Sequence, residues 1–179
     1  AVCMPQQRST RDRLLDAFEQ LLVNEGSRAA TLDAVAAAAG VSKGGLLYHF
    51  GSKEALVDGM VERLREQGAT DVELMRTADV GPVEYYLQTS VASGSDFDRA
   101  LIAASRIAQE NTHQAADVLA EIRDSWFTVL KEDLGDEALA RTIQLIGDGL
   151  YYNDFCGISN PTALTHVREV LARLTTSAN

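Results

Sequence analysis

Several things are scarce in this chain, and each shortage closes off a class of protein. There are two cysteines in 179 residues, Cys3 and Cys156, far apart and with no CxxC spacing, which argues against a disulfide framework or a thiolate zinc site. The expectation is one thiol in a disordered end and one in the core. With only three prolines against 46% apolar and 23% charged residues, extended disorder is also disfavoured. No run approaches the roughly 18 apolar residues that span a bilayer, and the opening AVCMPQQRSTRDRLL lacks the apolar block of a signal peptide. A cytoplasmic protein with no membrane partner is expected.

Catalytic constellations are missing too. There is no HExxH, GxSxG or GxxxxGK[ST], and no Cys/His cluster. His113 and His166 stand alone, while Glu132/Asp133 and Asp136/Glu137 flank a turn and read as helix-end charges. The chain is expected not to be an enzyme and to use no cofactor or metal.

Helical spacing fills almost every segment, and no stretch alternates apolar with polar residues as a half-buried strand would. The fold class is therefore all-α. Leu14, Phe18, Leu21 and Leu22 share a face of a first helix that closes at Gly26. Thr31 caps a second helix carrying Leu32, Val35, Ala36 and Ala39, which Gly40 ends. Ser42 caps a third, about Lys43 to Phe50, only two residues later. Ser52 caps a long fourth with the stripe Leu56, Met60 and Leu64, kinked or ended near Gly68. Further helices are expected at about 82–92, 96–111, 113–133, 136–155 and 161–175, separated by GP, SGS, LGD and CGISNP. That makes about nine.

Net charge is −10, which argues against nucleic acid until its distribution is considered. Residues 1–67 carry eight Lys and Arg against nine Asp and Glu, a balance of −1; residues 68–179 carry eight against seventeen, or −9. The near-neutral first part contains AVAAAAGVSKGGLLYHFGSKEAL, a helix, a three-residue turn and a helix. In that arrangement a compact unit presents its last helix to the DNA major groove. The alanines permit close contact of the two helices, Gly40 tolerates the turn, and Leu46 and Phe50 anchor the presented helix. Lys43, Gly44, Gly45, Tyr48 and His49 are left facing outward, the glycines permitting close approach. Lys53 and free N–H groups at the start of the fourth helix can reach a phosphate.

The run AAAAGVSKGGLLYHFGSKEAL resembles the helix-turn-helix signature of the TetR family of transcriptional regulators, and the resemblance extends over about residues 8 to 60. It implies an N-terminal three-helix DNA-binding head, residues 1–67, followed by a larger helical ligand-binding and dimerisation domain, residues 68–179. It implies phosphate contacts near Lys43, Tyr48, His49 and Lys53 and base-edge contacts about Gly44 and Gly45, with the capping Thr31 and Ser42 counted in the DNA-facing set. Gly45 stands where many members have Thr, and Leu47 where many have a phosphate-touching Tyr, whose hydroxyl Tyr48 can replace.

The resemblance further implies a homodimeric repressor on a palindromic operator in double-stranded DNA, released by a small-molecule effector. Its dimer interface would use the stripes Leu139, Ile143, Ile146, Leu150 and Leu164, Val167, Leu171, Leu174; the same stripes could instead pack inside one subunit. Its ligand cavity would draw on Tyr86, Phe97, Asn111, His113, Trp126, Phe127, Tyr151 and Tyr152. A helical protein-interaction module that binds no DNA is the alternative.

Overall fold

The computed structural model describes residues 8–91, 94–110, 113–158 and 160–176, so Cys3 and Asn111 lie outside the described residues. These residues form nine α-helices: α1 (Thr10–Glu25), α2 (Leu32–Ala39), α3 (Lys43–His49), α4 (Lys53–Thr77), α5 (Pro82–Thr89), α6 (Asp96–Ala108), α7 (His113–Leu134), α8 (Glu137–Phe155) and α9 (Ala163–Thr176). Side-chain caps set the starts of α1, α2, α3, α4, α6 and α8, because a helix leaves its first N–H groups without intrahelical partners. The Ser9 hydroxyl accepts from the Asp12 N–H at 3.1 Å, Thr31 from Ala34 at 3.2 Å, Ser42 from Gly45 at 3.0 Å, and the Asp136 carboxylate from Leu139 at 3.0 Å. Ser95 and Asp98 cap α6 reciprocally.

No break occurs at Gly68, and α4 is continuous for 25 residues. A β-carbon on Gly68 would lie 2.6 Å from Cγ1 of Ile122 on α7. The glycine is therefore used for close packing of two helices, at a cost of about 1 kcal/mol in helix propensity.

The chain divides into two compact units, Ala1–Ala69 with Ser95–Ile122, and Thr70–Gly94 with Arg123–Asn179. Residues 95–122 thus share a compact unit with α1, α2 and α3. In this first unit α6 packs on α1, and Ala100, Ala103 and Ala104 give it a small, buried contact face. Leu14, Phe18 and Leu22 of α1, Val35 of α2, Leu46 of α3 and Leu56, Met60 and Leu64 of α4 are all fully buried. Each such side chain contributes about 1.5–3 kcal/mol by leaving water. A charged group is buried with them. The carboxylate of Glu19, with no exposed surface, meets Arg63 of α4 at 2.5 Å and Arg99 of α6 at 3.3 Å. A buried carboxylate survives only when so paired.

The second unit has its own core of Met75, Tyr86, Leu87, Val129, Leu130, Ala140, Ile143 and Leu150. Against it pack Leu139, Ile146, Leu164, Val167 and Leu171. Of the eight residues expected at a dimer interface, Ile143 and Leu150 are buried in the protomer's own core, Leu139, Ile146, Leu164, Val167 and Leu171 pack against it half-buried, and Leu174 is 48% exposed. The remaining apolar surface of these helices comprises Leu145, Tyr152 and Phe155 on α8 and Val170 and Leu174 on α9. Cys156, expected in the core, is exposed at the end of α8.

Candidate nucleic-acid interface

Three short features position α3. Gly40 takes a left-handed conformation, φ 65°, and its N–H bonds back to Ala37; this lets the chain reverse within three residues. Ser42 then caps α3, and Leu46 and Phe50, 0% and 4% exposed, anchor its inner side. Because residues four apart share a face, the helix has four stripes. Leu46–Phe50 points in, Gly44–Tyr48 points directly out, and Lys43–Leu47 and Gly45–His49 form the flanks. Tyr48 is 86% exposed and Leu47 is 43% exposed. The Tyr48 and His49 rings meet edge to face at 5.2 Å.

The two glycines play different parts. A β-carbon on Gly44 would meet nothing within 4 Å, whereas one on Gly45 would lie 2.8 Å from Cγ1 of Val41 and 3.2 Å from the Ser42 hydroxyl. Gly45 is needed by the turn behind the helix, not only by the groove in front of it. Gly44 is the glycine that leaves the outer face bare. A long helical side chain leans over the preceding turn, so the bare position lies where Tyr48 would otherwise be covered.

The cations are less free than the sequence suggests. Lys43 pairs with Asp33 of α2 at 2.9 Å, both ends being more than half exposed. The Lys53 ammonium donates to the Ser27 carbonyl at 2.5 Å and to the Ser27 hydroxyl at 3.0 Å, and is partly buried there. Expected to reach for a phosphate, Lys53 instead straps the start of α4 to the turn after α1. The N–H groups at the α4 terminus are also in use: the Ser52 hydroxyl accepts from Ala55 at 3.2 Å. The Glu54 carboxyl is held below the usual range by its own backbone N–H and by the Ser52 hydroxyl. Thr31 and Ser42 are exposed, but their oxygens are occupied as caps.

Sequence reasoning passed over two residues as direct contacts. Arg28 is exposed, forms no ion pair with any described residue, and is the chain neighbour of the Ser27 that Lys53 grips. Leu47 lies off the anchor stripe. The signal for it was its place one turn after Lys43 rather than in line with Leu46 and Phe50.

The expected ligand residues fall in both compact units. Tyr86, Trp126, Phe127, Tyr151 and Tyr152 belong to the second unit, Phe97 and His113 to the first. Tyr86 is buried and donates to the Gln144 carbonyl at 3.3 Å, with its ring 5.9 Å from that of Trp126. The Asp71 carboxylate accepts from the Trp126 ring N–H at 2.7 Å and from the Tyr85 hydroxyl at 2.8 Å. Burial, and then that carboxylate, push the Tyr85 phenol well above its usual range. Phe127 is covered by the Arg141 guanidinium at 3.6 Å. Tyr152 is 63% exposed and His113 is exposed. The second unit also has an open cleft of about 250 Å³ lined by Val80, Gly81, Val83, Glu84, Leu87, Asp133, Arg168 and Leu171, and none of the expected ligand residues lines it. Among the described residues no helix is long and apolar enough to cross a membrane.

Comparison with known proteins agrees with the geometry of the head. A profile of bacterial regulatory proteins of the tetR family matches residues 14–60, and a tetracyclin repressor-like C-terminal domain profile matches residues 81–178. The transcriptional regulator AlkX of Mycobacterium tuberculosis is 38% identical over 71 residues, 40% of this chain and 34% of that protein. The transcriptional repressor KstR2 of Rhodococcus jostii is 26% identical over 149 residues, 75% of this chain and 70% of that one. Of solved structures, one from Rhodococcus sp. described as a TetR-family transcriptional regulator superposes with a TM-score of 0.68 at 18% identity, over 89% of this chain and 95% of that one. At that identity the likeness is one of fold.

Proposed function

The chain belongs to the TetR family of DNA-binding transcriptional regulators, a family of regulators rather than enzymes, and on that premise we propose that it acts as a homodimeric repressor on a palindromic operator. The observation that carries this reading is the outer stripe of α3, Gly44 and Tyr48, bare of any intramolecular cover on a helix anchored from behind. Lys43 and Arg28 supply the phosphate contacts, Lys43 by exchanging Asp33 for a phosphate oxygen. Such contacts fix register, while the α3 side chains face base edges.

Pairing rests on the exposed apolar residues Leu145, Tyr152, Phe155, Val170 and Leu174. A twofold contact through them gives two reading heads, which an operator of inverted half-sites requires. Release by a small molecule rests on the aromatic interior of the second unit, where Tyr86, Trp126 and Asp71 put polar groups among apolar ones. A ligand there shifts DNA binding only through different affinities for two arrangements of the heads.

The test is selection of bound duplexes from a random pool by the purified chain, followed by titration of the winner at rising salt. An enriched inverted repeat whose affinity falls steeply with salt is expected. A pool with no enrichment, and no duplex affinity at any salt, supports the helical interaction module instead.

A further inference from the structure

We propose that the operator half-site is read mainly through thymine methyl groups, by Leu47 and Tyr48. The proposal rests on the regulator reading above and identifies what that reading leaves open, the base chemistry that α3 recognises.

α3 presents an unusual set of side chains to the groove. From Lys43 to His49 there is no arginine, asparagine or glutamine, the side chains that make bidentate contacts with guanine and adenine in the major groove. The one lysine, Lys43, lies on a flank and is held by Asp33 at 2.9 Å. Gly44 contributes no side chain. What remains is an aromatic ring on the outer stripe, 86% exposed, a leucine on one flank, 43% exposed, and His49, exposed on the other flank with its ring against Tyr48.

An apolar group left in water on the reading face gains free energy only by meeting another apolar group. On base edges in the major groove that group is the C5 methyl of thymine. Gly44 adds to this. With open space where its β-carbon would be, the backbone can come close enough for side chains one turn later to reach the groove floor. The edge-to-face contact with His49 steadies the Tyr48 ring. The competing role for Tyr48, hydroxyl donation to a phosphate, makes a different prediction for Tyr48→Phe.

The decisive experiment replaces each dT of the selected duplex by dU, one at a time, which removes only the methyl group. The full chain is then titrated against each duplex by fluorescence anisotropy. Loss of one well-packed methyl corresponds to about fourfold weaker binding. That loss is expected at one or two positions in each half-site, and nowhere else. Leu47→Ala should abolish the sensitivity at one of these positions, and Tyr48→Phe should bind as the parent does. Both side chains are exposed, and an unchanged melting temperature confirms that the variants are folded. An enriched duplex indifferent to dU throughout overturns this proposal alone, as does sensitivity that persists in both Leu47→Ala and Tyr48→Ala. Uniform weakening by Tyr48→Phe overturns its part for Tyr48. A pool with no enriched duplex overturns the regulator reading and this proposal with it.

Discussion

At the scale of the residue, Gly44 separates stability from function. Glycine inside a helix costs roughly 0.5–1 kcal/mol relative to alanine, and at position 44 there is open space for a β-carbon. Gly44→Ala should therefore raise the melting temperature by a few degrees while weakening DNA binding, because the added methyl stands on the face that enters the groove. Thermal denaturation and duplex titration on one preparation check both signs. Gly45 should behave differently, since its β-carbon would press on Val41. Two adjacent glycines look alike in a sequence, and their opposite surroundings come only from the packing of the turn. Lys53 carries the same lesson. A lysine opening a helix beside a DNA-reading segment reads as a phosphate ligand, yet its reach also allows it to grip Ser27. Lys53→Met should lower stability by about 1.5–3 kcal/mol, the range for hydrogen bonds made by a charged group. It should leave the salt dependence of DNA binding unchanged. Urea titration and the slope of affinity against salt measure the two effects.

At the scale of the element, most of the fold was legible because helix starts are local chemistry. Thr31, Ser42 and Ser52, read as caps from the sequence, each cap through their own side chains, and a cap needs no tertiary information. Gly68 was misread as a break or kink because its purpose lies in Ile122, more than fifty residues away. The α8 and α9 stripes were found correctly as stripes. Periodicity shows that a face is covered and does not show by what, so Ile143 and Leu150 belong to the protomer's core rather than to a second chain. The anchor and outward positions of α3 were legible together, since a seven-residue helix with Leu46 and Phe50 buried leaves few ways to turn.

The pairing surface is then a matter of what those elements leave uncovered. Leu145 is 60% exposed and Ile143, two residues earlier, is buried. Leu145→Glu combined with Leu174→Glu should convert the proposed homodimer to monomer with the helical content intact. Ile143→Glu should unfold the second unit, because it buries a charge without a partner. Sedimentation velocity and far-ultraviolet circular dichroism distinguish these outcomes. A double variant that stays dimeric would move the interface elsewhere.

At the scale of the whole molecule, a chain of net charge −10 approaches a polyanion, and the distribution of that charge decides whether it can. The acidic excess after residue 67 repels DNA, while the first 67 residues are nearly balanced. Of their cations, Lys43 is held back by Asp33 until a phosphate competes. Non-specific affinity should accordingly be low, and affinity for the operator should depend on the fit of α3. The most direct measurement is therefore titration of the selected duplex with the wild-type chain and with Tyr48→Asp, accompanied by their melting temperatures. Tyr48 is so exposed that the variant should melt with the parent, and a carboxylate at the centre of the reading face should abolish specific binding. Equal affinity of the two proteins for the same duplex would mean that α3 does not enter the groove.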